Sequence, residues 1–137
     1  MPAAGAPRKM RTRFHSPVPA RVAERKAPSA SAVIVPALIL AEVDYFLRAE
    51  RTAMLKLVRE IVDPATTYEL EPVSASDLAR ALQLDARFHQ LQIGLVDGLV
   101  AAVAERRHVL RVLTVDRRDF GALRVGPRYS QALTLVP

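Results

Sequence analysis

Apolar residues recur along the chain with two alternating periods. Three β-branched or apolar residues, 33–35, stand together and stop at Pro36, a residue suited to the first turn of a helix. The pattern predicts a short strand followed by a helix over 36–50. In "TAMLKLVREIV", 52–62, Met54, Leu55, Leu57, Val58, Ile61 and Val62 keep the helical period. "DPATT" is a break, and "TYELEPV" alternates as a strand does. Ser74 or Ser76 can cap a third helix, with Asp77 in its first turn, running to about residue 89. Gly94 ends a loop, a fourth helix covers roughly 96–107, and 109–115 is a strand. "DFGALR" is a turn of helix at most, and "ALTLV" is a last strand. Strands alternating with helices in this order predict an α/β domain with a parallel sheet.

That order gives meaning to a few acids in apolar surroundings. In a parallel sheet, a helix starts near the carboxyl edge and the next strand climbs back to it. Asp97 lies in the first turn of the fourth helix, and Asp116 lies just past the strand that follows. The helix descends about 15 Å at ~1.5 Å per residue. The strand climbs about 20 Å at ~3.3 Å per residue. Both carboxylates therefore reach the edge where open α/β sheets place their ligands. Glu42 is a third candidate, because Leu38, Glu42 and Tyr45 share one helix face. Asp44, four residues before Arg48, reads as half of a surface ion pair. Asp119 reads as the cap of the short helical turn after it.

Each acid alone has an ordinary explanation. Asp97 suits a helix N-terminus, Asp116 a turn, and Glu42 an edge. Together they form a cluster whose members repel one another and resist desolvation as anions. A divalent cation relieves both, and oxygen ligands without a His or Cys cluster favour Mg²⁺ or Mn²⁺. Such an ion orients water for attack on phosphate. His15, His89 and His108 share no ligand spacing.

Composition sharpens the division of the chain. The net charge of +6 belongs to residues 1–32, which hold seven basic residues and one acid, Glu24. Residues 33–137 are neutral, with thirteen of each sign. The first segment has five prolines and few large apolar residues, so it is expected to be a disordered basic tail, with the domain proper spanning 33–137. The basic tail could touch RNA phosphates, or simply stay solvated. With no cysteine, disulfides and thiolate metal sites are excluded. No apolar run is long enough to span a membrane, and a cytoplasmic location is expected.

"LQIGLVDGLVAAVAERRHVLRVLTVDRRDFGALR", 91–124, resembles the C-terminal half of PIN-domain ribonucleases, in particular VapC toxins of toxin–antitoxin pairs, and "PALILAEVDYFL", 36–47, resembles their second acidic motif. The resemblance implies a three-layer α/β/α domain with a parallel sheet. It implies a metal-dependent endoribonuclease that cuts RNA with Mg²⁺ or Mn²⁺, a VapB-like antitoxin as partner, and a homodimer. It places the second, third and fourth acids at Glu42, Asp97 and Asp116, as catalytic and metal-binding residues, and assigns Thr114 a hydrogen bond in the last acidic loop. The chain departs from the family at its start. Such domains open on a central strand ending in Asp, and residues 1–32 contain neither an apolar strand nor an aspartate. The first strand and first acid are thus missing or atypical, two strand edges would lack partners, and weak or no activity is expected. Three functions stay open: a toxin ribonuclease, a non-catalytic remnant that binds an antitoxin or a paralogous toxin, and a basic-tailed RNA-binding protein.

Overall fold

The structure, a computed structural model, describes residues 32–137. The expected disordered tail, up to residue 31, lies outside the described residues, as does His15. Strand β1 (Val33–Pro36) pairs in parallel with β2 (Tyr68–Glu71). Helices α1 (Ile39–Phe46) and α2 (Arg51–Val62) connect them. Helix α3 (Ala75–Arg87) follows, then a 3-10 turn at His89–Leu91 and helix α4 (Gly94–Arg107). Strand β3 (Arg111–Leu113) leads into the short helix α5 (Arg117–Ala122). A small antiparallel hairpin, β4 (Arg124–Val125) and β5 (Gln131–Ala132), precedes β6 (Thr134–Val136), which is parallel to β3.

One expectation needs correction. The helix predicted over 36–50 is confined to Ile39–Phe46, because Pro36 belongs to β1. Proline removes only its own donor, and the next amide, Ala37 N–H, still donates to Glu71 O at 2.9 Å. Among the described residues β1–β2 and β3–β6 are separate parallel pairs, with no hydrogen-bonded strand joining them.

Helix α4 organises the molecule. Gly98, Leu99, Ala101, Ala102, Val103 and Ala104 are buried, so the helix is covered nearly all round, as a central helix must be. One side joins Leu84, Val112, Phe120, Leu123 and Val125 in the larger apolar cluster; Leu99 and Val103 join Ala81 in a smaller one. Helix α3 begins with a capping box: Ser74 Oγ accepts Asp77 N–H at 3.1 Å, and Asp77 Oδ2 accepts Ser74 N–H at 3.2 Å. Buried Asp77 and Glu71 converge on Arg106, whose Nη2 donates to Glu71 Oε1 at 2.6 Å and whose Nε donates to Asp77 Oδ1 at 2.7 Å. Arg107 pairs with Glu71 and Glu69.

Helices α3 and α4 meet backbone to backbone at Gly98. A Cβ there would stand 2.8 Å from Ala81 O, a carbonyl that cannot swing away. Gly98→Ala gains helix propensity of about 1 kcal/mol. Forcing the helices apart costs about 1–3 kcal/mol. Net destabilisation is expected, read as a lower urea midpoint; a midpoint at or above wild type would show that the crossing yields freely.

Candidate functional site

Asp97 occupies the first turn of α4 and is half-buried. The preceding loop turns through Gln92 at φ 51° and Gly94 at φ 73°. Asp85 Oδ1 accepts Gly94 N–H at 3.1 Å and fixes where the helix begins. Burial pushes the Asp97 carboxyl up to about 6, with the negative charges of Asp116, Glu42 and Asp119 adding to it. Three acids thus act on Asp97 at the carboxyl edge of β1 and β3.

Asp116 lies past β3 and is the N-cap of α5, where its Oδ1 accepts Asp119 N–H at 3.0 Å. Its own N–H donates to Thr114 Oγ1 at 3.0 Å, the loop hydrogen bond the family resemblance assigned to Thr114. Asp119 was expected to cap the helix; Asp116 does so instead, because the helix begins two residues earlier than Asp119. Asp119 sits in the first turn, and its Oδ1 is buried without a hydrogen-bond partner. Arg118 Nε lies 3.7 Å away, too far for a hydrogen bond.

Glu42 departs from expectation. It is exposed, and Tyr45 on the same face is 61% exposed, because α1 has no fully buried residue. The helix face expected to be its apolar stripe is only partly covered. Asp44 pairs not with Arg48 but with Arg51 at 2.6 Å, since the turn after α1 brings the first residue of α2 back towards it. Arg48 lies instead over the Tyr45 ring at 4.6 Å. His89 and His108 are exposed.

No three Asp, Glu, His or Cys side chains gather tightly enough to hold an ion among the described residues. The donor chemistry nevertheless suits a hard cation: all donors are carboxylates, Asp97 is electrostatically strained by its neighbours, and one oxygen of Asp119 is buried and unpaired. The chain's residues therefore fit such an ion in kind, and would have to draw together around it. Sequence reasoning missed Asp85, whose helix-anchoring bond spans nine positions and leaves no periodic signal.

A family model described as PIN domain matches residues 13–125. Ribonuclease VapC26 of Mycobacterium tuberculosis is 32% identical to the chain over 120 residues, which make up 86% of this chain and 86% of that protein.

Proposed function

The chain belongs to the PIN-domain family, a three-layer α/β/α fold, and from that membership we propose that it is a VapC-like toxin ribonuclease, dependent on Mg²⁺ or Mn²⁺ and weakly active as this sequence stands. The observation that carries the reading is the half-buried Asp97 carboxylate, raised by burial and by the negative charges of Asp116, Glu42 and Asp119 at the same edge, a setting that a positive charge would relieve. Asp97, Asp116 and Glu42 would hold the ion, with Asp119 beside them. A bound Mg²⁺ or Mn²⁺ would polarise a phosphate oxygen and lower the pKa of an attacking water. The chain's own part is orientation. Thr114 and the Asp119 amide fix the Asp116 loop, and the Asp85 bond to Gly94 sets the start of the helix that presents Asp97. The low activity follows from two features. No aspartate among residues 1–32 supplies the first family acid, and β3, which leads towards Asp116, is paired on one side only among the described residues. Small misplacements of catalytic groups are costly in rate.

The natural test is cleavage of a structured RNA by the full chain with Mn²⁺, with EDTA, and in Asp116→Asn. Asn caps helices as well as Asp, so this change removes charge and spares the cap. Slow cleavage that needs Mn²⁺ and disappears in Asp116→Asn is expected. Cleavage that survives EDTA would overturn the metal assignment. A second reading, a non-catalytic remnant that docks a VapB-like antitoxin, draws on the ungathered carboxylates. It predicts no cleavage under any condition together with co-purification of a co-expressed antitoxin. The homodimer is a further proposal, checked by light scattering. No helix among the described residues is long and apolar enough to cross a membrane.

A further inference from the structure

At the end of α4 remote from Asp97 lies an open cleft of about 860 Å³. Glu105, in its floor, stands about 12 Å along the helix from Asp97 at ~1.5 Å per residue. Among the described residues that line the cleft, Arg80, Arg106, Arg128 and His108 meet one acid, Glu105. Arg80 neutralises that acid, donating from Nε to Oε1 at 3.1 Å and from Nη2 to Oε2 at 2.9 Å. Glu105 Oε2 also accepts the Gly126 N–H at 2.9 Å, which ties the hairpin loop to the helix. Arg106 answers the buried Asp77 and Glu71 beneath it. The exposed charge at the rim is carried by Arg128 and by Arg87, which lies against the Tyr129 wall.

That wall is a stack of rings and guanidinium groups. Tyr129 meets Phe88 edge to face at 5.8 Å, and the Arg80 and Arg87 guanidinium carbons lie 5.1 and 5.4 Å from the Tyr129 ring centre. A guanidinium stacked on a ring keeps its N–H edge for partners in its own plane, which suits a phosphate. The backbone is committed to this shape. Arg128 and Tyr129 both sit at φ 55°, and two successive side-chain-bearing residues in the left-handed region are uncommon. Such conformations cluster where ligands are held. The chain also links the cleft to the acidic edge with further cations. From the Asp116 cap, α5 and β4 lead to Gly126, and residues 117–128 hold Arg117, Arg118, Arg124 and Arg128 against Asp119. Residues 33–137 as a whole are neutral, so this stretch gathers positive charge on the path between the two sites.

We infer that this cleft, with the arginine path leading to it, docks phosphates of an RNA strand whose cleaved bond lies at the acidic edge. The identity of the anion rests on the ribonuclease reading above. Carboxylates at the acidic edge disfavour a polyanion, so the strand needs cations beside them. Screening confines each charge to about 8 Å at physiological salt, so cations spaced along the path serve a strand better than a distant net charge does. Single arginines strung over about 12 Å match the regular charge of a phosphate backbone, and each offers a fork that fits phosphate. Phosphate contacts carry no sequence information, so the cleft positions the RNA without selecting it.

Fluorescence anisotropy of a short single-stranded RNA, titrated with the full chain in EDTA at several salt concentrations, tests binding apart from cleavage. Each lost phosphate contact should make the fall of log K with log salt shallower by about 0.7. Arg128→Gln should show one such step, and Arg87→Gln combined with Arg128→Gln two, equally for RNAs of different sequence. Arg128→Lys should keep the wild-type slope, since an ammonium still meets a phosphate. Arg59→Gln, which changes an exposed arginine of α2 outside the cleft, should keep it as well. A wild-type slope in the double variant would overturn the inference. So would an equal loss in Arg59→Gln, which would reduce the effect to net charge. Loss of a co-expressed antitoxin in Arg128→Gln, with the RNA slope unchanged, would assign the cleft to an acidic protein and overturn it too. RNA held through the cleft by a chain that cleaves under no condition would uphold this inference and defeat the ribonuclease reading.

Discussion

Arg106→Ala should destabilise the domain by about 3 kcal/mol at neutral pH, measured by urea unfolding. Its guanidinium serves two carboxylates that have almost no access to water: Asp77 is 2% exposed and Glu71 4%. Nε and Nη2 grip Asp77 at 2.7 and 3.0 Å, and Nη2 reaches Glu71 at 2.6 Å. Truncation strands Asp77 with only the Ser74 cap and leaves Glu71 to Arg107 alone. Breaking a buried pair from one side costs about 3–5 kcal/mol, because an uncompensated charge stays inside. The lower end applies here, since the Arg106 side chain is 34% exposed and solvent screens part of the interaction. The pH dependence has a definite sign. Burial acts to raise Asp77, yet the hydrogen bonds from Arg106 and Ser74 hold it below its ordinary 3.8. The wild-type pair therefore contributes fully above pH 3.8 and is lost as pH falls through the lowered value. In Arg106→Ala burial prevails and Asp77 rises, so the gap to wild type should narrow towards pH 4. A cost under about 1 kcal/mol at pH 7 would show the network to be a screened surface cluster.

Asp97→Asn should have two large effects in opposite directions. An acid with its folded pKa at about 6 binds a proton more tightly folded than unfolded, where 3.8 applies. Ionising it therefore costs stability as pH rises from 3.8 through about 6, and the full penalty stands above that. The shift would convert to about 3 kcal/mol at 1.36 kcal/mol per unit. Solvent screening of a half-buried group brings this to about 1–2 kcal/mol. The amide carries no such penalty, so the variant should be more stable than wild type at pH 7.5 and equal to it near pH 4. Any metal-dependent RNA cleavage should fall by roughly a hundredfold to a thousandfold, the usual cost of removing one well-placed electrostatic group. Any thermal stabilisation by Mn²⁺ should vanish as well. A variant that is less stable at pH 7.5, or still stabilised by Mn²⁺, would place Asp97 outside the site.

Much of this architecture is legible in the sequence where a signal is periodic or short-ranged. Helix α2 follows its apolar period, Ser74 opens α3, and the apolar run before Asp116 ends at the sheet edge where that acid was expected. The Thr114–Asp116 bond spans two positions and comes with the family motif. What stays hidden depends on distant partners. Pro36 is a helix starter by propensity and a strand residue in fact, because β2 keeps pairing past it. Glu42 lies on a predicted apolar face and is exposed, since no residue of α1 is fully buried. Asp77 looked like a first-turn acid and is that, but its tie to Arg106 crosses 29 positions without a pattern. The strands β4 and β5, two residues each, are too short to show any period.

The backbone contact at Gly98 also bears on the order in which the chain assembles. Helices α3 and α4 are joined by a single short loop, so their crossing closes a small ring, whereas β1 meets β2 only after two intervening helices. Closing short loops first is entropically cheaper, and early contacts are those of low sequence separation. The helical hairpin is then the natural nucleus, with the strand pairs condensing on it afterwards. A methyl group wedged between Gly98 and Ala81 would be felt already at the barrier, and the penalty of Gly98→Ala would appear as slower refolding, with the unfolding rate nearly unchanged.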